Sequence, residues 1–258
     1  MTATLVKRAT GGVQEVGQYG IMVWETVRSL FREKKYWAEI LYQIYFIGVK
    51  SQSVVLITGA FTGMVLTAQS YFQFSRVQME TATLALVSVS MCSELGPVLT
   101  GLMVAGRAGA AMAAELGTMR VTEQIDALRT LATHPIDYLI APRVLATFIA
   151  MPLLTAESIV VGISAGYMVA VYLLRIDPVY VWGNMIKYSS THHVYSGLIK
   201  AAVFGFIIAT VSSFKGLNCP QGAEGVGKAT TEAVVAASIS ILITNFFLTM
   251  SVGRWLAP

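Results

Sequence analysis

Long apolar stretches alternate with short charged connections along most of this chain. Five stretches exceed the ~20 residues that a helix needs to cross about 30 Å of hydrocarbon. Three of them contain a single charged residue: Glu94 in the second, Glu157 in the third and Lys200 in the fourth. This pattern predicts an all-α integral membrane protein with five transmembrane helices. The predicted spans cover residues 51–75, 81–106, 144–174, 194–214 and 233–253.

The segment before the first span, residues 1–50, has an amphipathic pattern instead. Apolar residues recur at helical spacing, and basic residues such as Arg28, Arg32 and Lys35 lie beside them. The pattern predicts an N-terminal interfacial helix on the cytoplasmic membrane surface, ahead of a transmembrane domain at residues 51–258. No uncharged core precedes a small-residue cleavage site, so a signal peptide is not expected. The apolar positions are Val16, Tyr19, Val23, Val27, Leu30, Trp37, Ile40, Leu41, Ile44 and Tyr45.

The distribution of Lys and Arg predicts the orientation of the spans. With the N-terminus in the cytoplasm, cytoplasmic segments hold 13 Lys and Arg residues, and the external side holds 5 when Lys200, which lies within the fourth span, is counted with it. Membrane proteins carry the excess of basic residues on the cytoplasmic side. We therefore expect a cytoplasmic N-terminus and a periplasmic C-terminus.

The composition agrees with a membrane protein and bears on its partners. Hydrophobic residues make up 55% of the chain, charged residues 12%, and the mean hydropathy is +0.65, which excludes an ordinary soluble domain. The basic residues behind the net charge of +4 lie beside membrane segments, which favours an anionic lipid leaflet over nucleic acid. Cys92 lies in a span and Cys219 in a connection, so we predict no disulfide or metal site. His192 and His193 are adjacent rather than four residues apart, and are interpreted as polar loop residues.

One short motif raises the question of whether the chain itself hydrolyses a nucleotide. Residues 222–230, GAEGVGKAT, match the phosphate-binding loop G-x-x-x-x-G-K-[ST] except at Ala229, which has no oxygen for a magnesium ion. The strand before such a loop and the carboxylate on a later strand are also missing from the sequence pattern. A glycine-rich turn before a helix is the favoured interpretation, with Thr230 or Thr231 as its cap and Glu232 in its first turn.

The polar residue that most needs an explanation is Glu94, near the middle of the predicted second span. A charge at that depth costs ~2.5–3.5 kcal/mol on insertion scales, so an intramembrane acid usually faces a cavity, a partner or a pathway. A protonated or hydrogen-bonded packing residue is the alternative. Gly96 and Pro97 weaken the helix next to it, because Pro97 has no backbone donor, and they predict a bend that lines a cavity. Lys200 lies near one end of its span, where its ammonium group can extend to the membrane surface.

Small residues recur at every fourth position after this bend. Such a ridge lets another helix approach closely, so it predicts helix packing, within the chain or across a dimer interface. Gly59 and Gly63 repeat the pattern more weakly in the first span. The residues of the ridge are Gly101, Ala105, Gly109, Ala113 and Gly117.

Charged residues return at helical intervals after the ridge. They predict an amphipathic cytoplasmic helix over about 115–132, between the second and third spans. The helix is either a solvated surface element or a lever that docks into a soluble partner. Its charged positions are Arg120, Glu123, Asp126 and Arg129, set among Val121, Ile125, Leu128 and Leu131.

Several of these segments together resemble the MlaE (YrbE) family, the permease subunits of bacterial lipid-transport ABC systems that work with MCE-domain proteins. The likeness spans nearly the whole chain and rests on a long, ordered set of motifs. They are SELGPVLTGLMVAGRAGAAMAAELGTMRVTEQIDAL at residues 93–128, PR at 142–143, PLLT at 152–155 and GVGKATTEAVV at 225–235.

The resemblance implies a homodimeric permease, multi-pass in the bacterial inner membrane, with an interfacial helix and five transmembrane helices per subunit. ATP and magnesium would bind a separate cytoplasmic ATPase subunit, so this chain would be no enzyme and would hold no cofactor or metal. A small STAS-domain protein inside and a periplasmic MCE-domain hexamer outside would be further partners. The system would move phospholipid between the inner membrane and the ring, and so maintain outer-membrane lipid asymmetry.

The resemblance also implies roles for individual residues. Glu94 matches a position that faces the lipid cavity at the dimer centre. Ser93 stands where many relatives have arginine, so a phosphate-binding cation beside Glu94 is absent. The implied substrate-binding residues are Ser93, Glu94, Pro97, Leu66, Phe74 and Val77. The implied coupling helix on the ATPase contains Glu115, Arg120, Glu123, Gln124, Asp126 and Arg129.

The expected mechanism is that ATP-driven closure of two ATPase subunits pushes the coupling helices and squeezes a cavity lined by the first, second and fifth spans. An ion-coupled secondary carrier is the alternative, with Glu94 and Glu157 as proton-binding groups. Such a carrier would transport its substrate alone, under a proton gradient. An intramembrane hydrolase is a third possibility, but no nucleophile and base lie on facing spans.

Overall fold

The architecture is that of a helical bundle. A computed structural model describes residues 2–30 and 37–255, with the side chains of residues 14–30 and 37–251. Its regular structure over these residues is entirely helical, and five helices are long and apolar enough to cross a membrane. The predicted all-α architecture with five spans is therefore confirmed. The first to fifth spans are Trp37–Val77, Glu80–Val121, Ile136–Leu173, Thr191–Leu217 and Ala223–Ser251.

The first three spans are built from α-helices joined or extended by π-helical turns, whose backbone hydrogen bonds span five residues instead of four. The α-helices are α1 (Thr2–Leu30), α2 (Trp37–Ile44), α3 (Lys50–Phe74), α4 (Thr83–Ser90), α5 (Gly96–Val104), α6 (Ala110–Val121), α7 (Gln124–Thr130), α8 (Ala141–Met168), α9 (Pro178–Tyr188), α10 (Thr191–Leu217) and α11 (Ala223–Trp255). The π turns are Tyr45–Val49, Met91–Leu95, Ala105–Gly109, Ile136–Ile140 and Val169–Leu173.

The first span begins earlier than expected. Its helix starts at Trp37 instead of residue 51, so the expected division after residue 50 falls inside a continuous helix. Ile40 and Ile47 of this early part are buried, and α2 packs against α8 of the third span. This buried apolar face extends the first span toward the N-terminus. The basic residues Arg32 and Lys35 lie outside the described residues.

The first and third spans approach each other through glycine. A side-chain carbon on Gly63 would overlap the backbone of Gly162, and one on Gly59 would lie 2.6 Å from Oγ of Ser158. Gly166 continues the contact, since a carbon there would lie 2.6 Å from Oγ1 of Thr67. The pattern of Gly59 and Gly63 was expected to be weaker than the ridge of the second span, but it makes the closer helix contact.

The small-residue ridge of the second span packs inside the chain. Added side-chain carbons would contact Ile241 and Phe204 at Gly101, Ser212 at Gly109, and Cys219 at Gly117. These contacts belong to the fourth and fifth spans and the connection between them. The prediction of close helix packing is confirmed, and its partner is within the same chain.

The stretch predicted as one amphipathic helix over about 115–132 is two helices with a sharp turn between them. α6 ends at Val121 and α7 begins at Gln124. Glu123 between them has φ of 59°, in the left-handed region that interrupts an α-helix. Prediction of a single helix was wrong because charge periodicity does not reveal a single left-handed residue.

The GAEGVGKAT segment is helical and forms no phosphate-binding loop. α11 begins at Ala223, directly after Gly222 with φ of +89°. Thr230 and Thr231 therefore lie well inside the helix, where their hydroxyls donate to the carbonyls of Val226 and Gly227, and their predicted role as caps was wrong.

A short helix between the third and fourth spans was not predicted. The carboxylate of Asp177 accepts from the backbone N–H of Val179 at 2.8 Å, and Pro178 occupies the first turn of α9. This is the usual chemistry of a helix start. Val181 is buried, and the amide of Asn184 donates to the carbonyl of Thr81 at 3.1 Å, which holds α9 against the second span.

Candidate functional site

A buried ion pair joins the second and fourth spans. Nζ of Lys200 lies 2.6 Å from Oε1 of Glu94, with side-chain exposures of 1% and 36%. The expected extension of Lys200 to the membrane surface was therefore wrong. An available carboxylate inside the protein neutralises the ammonium group, and that pairing replaces contact with the surface.

Two polar residues of the fifth span complete the surroundings of the carboxylate. Nδ2 of Asn245 donates to Oε2 of Glu94 at 3.0 Å. The hydroxyl of Thr249 accepts from Nζ of Lys200 at 2.9 Å and lies 3.0 Å from Oε1 of Glu94. Asn245 and Thr249 are four residues apart, so they share one face of α11. Glu94 is thus hydrogen-bonded, as expected of a packing residue, and still about one-third exposed, as expected of a residue that faces a cavity.

The backbone of the second span explains the position of the lysine. In a regular α-helix the carbonyl of Ser93 would accept from the N–H of residue 97, but Pro97 has none. Nζ of Lys200 donates to that carbonyl instead, at 3.0 Å. The irregularity predicted from the proline is the π turn Met91–Leu95, which contains Glu94. Pro97 itself is buried, so it acts on the helix backbone and not as an exposed cavity wall.

The fourth span meets this π turn through three residues on one face, His193, Gly197 and Lys200. A side chain on Gly197 would overlap the carbonyl oxygen of Cys92, so only glycine permits the approach. Nδ1 of His193 lies 3.0 Å from Oγ of Ser93. The interpretation of His192 and His193 as loop residues was wrong, since both lie in the first turn of α10. We call Ser93, Glu94, His193, Lys200, Asn245 and Thr249 the Glu94 cluster.

The Glu94 cluster lies toward one end of the bundle and not at its middle. His193 is in the first turn of the fourth span, and Thr249 is near the end of the fifth. α1 contacts the opposite end of the fourth span, where the hydroxyl of Tyr19 lies 2.9 Å from Oγ1 of Thr210. The expected central position of Glu94 was wrong because the second span extends to Val121, well beyond residue 106.

The apolar residues expected to contact lipid lie along the first span. Leu66 lines a cavity of about 350 Å³ together with Leu95, the residue that follows Glu94. Phe74 is half-buried and Val77 is exposed, both more than two helical turns farther along the span. The structure therefore brings Leu66 close to the π turn and leaves the other two at the end of the span.

The residues expected on a coupling helix are divided between α6 and α7. Nη1 of Arg120 on α6 contacts both carboxylate oxygens of Asp126 on α7, at 3.1 and 3.2 Å. Nη1 of Arg129 lies 2.8 Å from the same carboxylate. Arg120 and Asp126 are six residues apart and would lie on different faces of a straight helix, so the turn at Glu123 makes their contact possible.

Glu115 has a different partner from the other coupling candidates. Its Oε2 lies 2.9 Å from Nη2 of Arg143, at the start of the third span, and the Arg143 side chain is 4% exposed. Glu123 and Gln124 are exposed in the turn and at the start of α7. Of the six candidates, these two are therefore presented to the surroundings at the turn.

A cavity of about 630 Å³ lies between α1, α7 and the end of the fourth span. Its walls include Met22 and Glu25 of α1, Arg129 of α7, and Phe214 and Leu217 of the fourth span. Both charged and apolar side chains line it, so this end of the bundle presents a recess as well as a projecting turn.

α1 is attached to the fourth span by polar and aromatic contacts. The rings of Tyr19 and Phe214 meet edge to face with centroids 5.4 Å apart, and Nζ of Lys215 lies 2.6 Å from Oε1 of Glu15. Burial raises the pKa of the Tyr19 hydroxyl, against the smaller opposite effect of its hydrogen bond with Thr210. The hydroxyl therefore stays protonated and hydrogen-bonded at neutral pH.

Glu157 lies apart from the Glu94 cluster. It lines a cavity of about 160 Å³ with Gly48 and Gln52 of the first span and Leu153 of the third. Its Oε2 is buried and has no hydrogen-bond partner among the described residues. The two acids of the carrier hypothesis therefore do not share one site.

Four members of the Glu94 cluster were not among the predicted site residues, for different reasons. A lone lysine and a lone acid in separate apolar stretches are a signal for a buried pair, which could have found Lys200. Asn245 and Thr249 are polar and one turn apart in the fifth span, which is also a usable signal. Nothing in the local sequence distinguishes His193 from His192.

Comparison with known proteins decides the family. The family model described as Permease MlaE matches residues 40–251, from the first span through the fifth. The chain belongs to the MlaE permease family. As an MlaE-family member, it is a multi-pass membrane permease component of an ABC transporter.

Individual relatives of this MlaE-family chain agree with the assignment. A probable ABC transporter permease protein of Rickettsia conorii is 47% identical over 243 residues, 94% of each chain. The intermembrane phospholipid transport system permease protein MlaE of Haemophilus influenzae is 35% identical over 248 residues, 96% of this chain and 95% of the relative. The chloroplastic protein trigalactosyldiacylglycerol 1 of Arabidopsis thaliana is 38% identical over 234 residues, 88% of this chain and 65% of the relative.

Proposed function

We propose that this permease moves phospholipid between the bacterial inner membrane and a periplasmic ring of MCE-domain subunits. In this proposal ATP and magnesium bind a separate cytoplasmic ATPase subunit. The name of the Haemophilus influenzae relative, an intermembrane phospholipid transport system permease protein, supports the choice of substrate. The helical GAEGVGKAT segment supports the placement of ATP hydrolysis on another subunit.

The observation that carries the proposal is the Glu94 cluster beside apolar helix faces. A phospholipid needs polar partners for its headgroup and an apolar wall for its acyl chains. The partly exposed carboxylate of Glu94 offers the polar partner, and the cavity lined by Leu66 and Leu95 offers the apolar wall. Phe74 and Val77 extend this apolar wall along the first span.

The proposed orientation places α1 and the α6–α7 turn in the cytoplasm and the Glu94 cluster in the periplasmic half of the membrane. The excess of Lys and Arg in the segments assigned to the cytoplasm supports it. The turn at Glu123 and Gln124 would contact the ATPase subunit, while Arg120, Asp126 and Arg129 hold α7 in register. Glu115 would anchor the middle of α6 to the third span through its pair with Arg143.

The proposed assembly contains two copies of this chain, two ATPase subunits, a STAS-domain protein and an MCE-domain hexamer. Exposed apolar residues on the first and fifth spans support the contact between copies, because each chain leaves these faces unburied. They include Phe61 and Val65 of the first span and Leu242, Phe246 and Phe247 of the fifth. ATP would drive transport only if it binds two states of the complex with different affinity.

The carrier hypothesis has less support than the ABC permease. Lys200 neutralises Glu94, and Glu157 faces a separate cavity. A carrier also gives no reason for family membership among ABC permeases.

Affinity purification from native membranes in mild detergent tests the proposal. We expect a cytoplasmic ATPase and phospholipid to co-purify with the wild-type chain. Glu123→Lys should reduce the recovered ATPase at least severalfold while the chain still inserts, because it reverses a charge in the exposed turn. Glu80→Lys, the same reversal at the other end of the second span, is the control.

Two results would overturn parts of this account. If neither an ATPase nor phospholipid co-purifies with the wild-type chain, the proposed function is contradicted. Equal ATPase recovery with Glu123→Lys and wild type contradicts the role of the turn and leaves the substrate unaffected.

A further inference from the structure

We propose that His193 binds the phosphate of the lipid headgroup, while Lys200 serves as the fixed counter-ion of Glu94. This inference rests on the proposed function, since it names the side chain that recognises one part of the substrate. It also identifies the ligand class: a glycerophospholipid whose headgroup carries a hydrogen-bond donor beyond its phosphate.

Every hydrogen-bond donor of Lys200 is already engaged within the protein. An ammonium group has three N–H donors. Nζ of Lys200 donates to the carbonyl of Ser93, the carboxylate of Glu94 and the hydroxyl of Thr249, at 3.0, 2.6 and 2.9 Å. All three donors are engaged, and the side chain is 1% exposed. Lys200 therefore has no free donor for a phosphate oxygen.

The carboxylate of Glu94 suits a hydrogen-bond donor of the headgroup and not its phosphate. An ionised carboxylate accepts hydrogen bonds and repels an anion. About one-third of the Glu94 side chain is exposed, so it is available to a donor such as an ammonium or hydroxyl group. The phosphate of a bound lipid must therefore find its donor on a different side chain.

One ring nitrogen of His193 is engaged within the protein, and the other is free to bind a phosphate. Nδ1 is engaged with Oγ of Ser93 at 3.0 Å. Nε2 makes no hydrogen bond among the described residues, and the side chain is half-buried. When the Ser93 hydroxyl donates to Nδ1, the neutral ring carries its proton on Nε2 and can donate it to a phosphate.

The surroundings of His193 fit this role. The second span presents Ser93 and Glu94, the fourth span presents Lys200 on the same face, and the fifth span presents Asn245 and Thr249. Glu94 and Lys200 carry opposite charges and form a pair, so the cluster without His193 is close to neutral. The imidazole then supplies the N–H donor that a phosphate oxygen needs.

Two substitutions separate the two ring nitrogens. His193→Asn places an amide near the position of Nδ1 and removes the group at Nε2. His193→Gln places an amide near the position of Nε2 and so keeps a neutral donor there. His192→Asn, at the exposed neighbouring position, is the matched control.

The experiment measures binding of a fluorescent phosphatidylethanolamine to each purified protein in detergent. Competitors are unlabelled phosphatidylethanolamine, diacylglycerol with the same acyl chains, and inorganic phosphate. For wild type and His192→Asn we expect phosphatidylethanolamine to compete at least about tenfold better than diacylglycerol, the size of one hydrogen bond to a charged group. We expect His193→Asn to lose this preference and His193→Gln to retain part of it.

Inorganic phosphate distinguishes a lipid headgroup from a free anion, because it offers the same acceptor oxygens without acyl chains. Competition by inorganic phosphate as strong as that by phospholipid would make the site one for free phosphate, and would contradict a lipid headgroup.

The possible failures are distinguishable. If wild type binds neither phosphatidylethanolamine nor diacylglycerol, the proposed function fails together with this inference. If wild type prefers phospholipid and His193→Asn keeps the same preference, the role of His193 is wrong and the proposed function stands.

Discussion

At the scale of single residues, the central feature is a charge pair in which each partner makes the other's charge tolerable inside the bundle. Lys200 is 1% exposed in an apolar span, and its charge is tolerated because Glu94 and the carbonyl left free by Pro97 accept its hydrogen bonds. A buried charge without its partner costs several kcal/mol, whereas a neutral replacement of both partners costs much less. The pair should therefore behave as a unit in stability measurements.

Lys200→Met should lower the free energy of unfolding by about 2–3 kcal/mol, less than for a fully buried pair because Glu94 is partly exposed. The double substitution Lys200→Met with Glu94→Gln should recover at least half of this loss. Thermal unfolding in detergent measures both values, and Lys187→Met, at an exposed position on α9, is the control. A double variant less stable than Lys200→Met would contradict the unit behaviour.

Sequence patterns identified Glu94 but left most of its cluster undetected. An isolated acid in an apolar stretch is visible locally, because its apolar sequence neighbours alone reveal it. Lys200, Asn245 and Thr249 lie more than 100 residues away along the chain, and their relation to Glu94 depends on how spans pack. The pairing of spans is therefore the information that the local pattern lacked.

At the scale of helices, glycine sets how closely the spans approach. The first and third spans meet where Gly63 faces Gly162, backbone against backbone. The position of Gly106 on the second span is different, because nothing lies within 4 Å of an added carbon there. The two glycines therefore provide a test and its control in one protein.

Gly63→Ala should destabilise the bundle by about 1–3 kcal/mol, the usual cost of overpacking a close contact, because the neighbouring atoms are backbone and cannot move aside. Gly106→Ala should be neutral or stabilising by up to about 1 kcal/mol, since alanine favours a helix. Thermal unfolding in detergent again gives the comparison. Equal stability of the two variants would mean that the first and third spans are farther apart than described.

Helix boundaries were predicted less well than helix existence. Five spans followed from apolar length alone, because the bilayer sets one threshold for all of them. The start at Trp37, the turn at Glu123 and the short α9 depend on packing, on one left-handed residue and on a cap. Of these, only the Asp-Pro start of α9 was visible in the sequence.

At the scale of the whole molecule, the two ends of the bundle have different chemistry. One end carries α1, the α6–α7 turn and a recess of about 630 Å³ with charged and apolar walls. The other end carries the Glu94 cluster, between spans whose outer faces are apolar. The proposed mechanism, in which a push at one end moves a lipid at the other, requires this division.

The most direct test of the central claim is phospholipid transfer by reconstituted vesicles. The purified chain is incorporated with or without its co-purified ATPase subunit, and transfer of a fluorescent phospholipid to the isolated MCE-domain ring is followed with ATP or ADP. We expect transfer that differs between ATP and ADP only when the ATPase subunit is present, and no nucleotide hydrolysis by the chain alone. Transfer by the chain alone under a proton gradient, or ATP hydrolysis by it, would contradict the account.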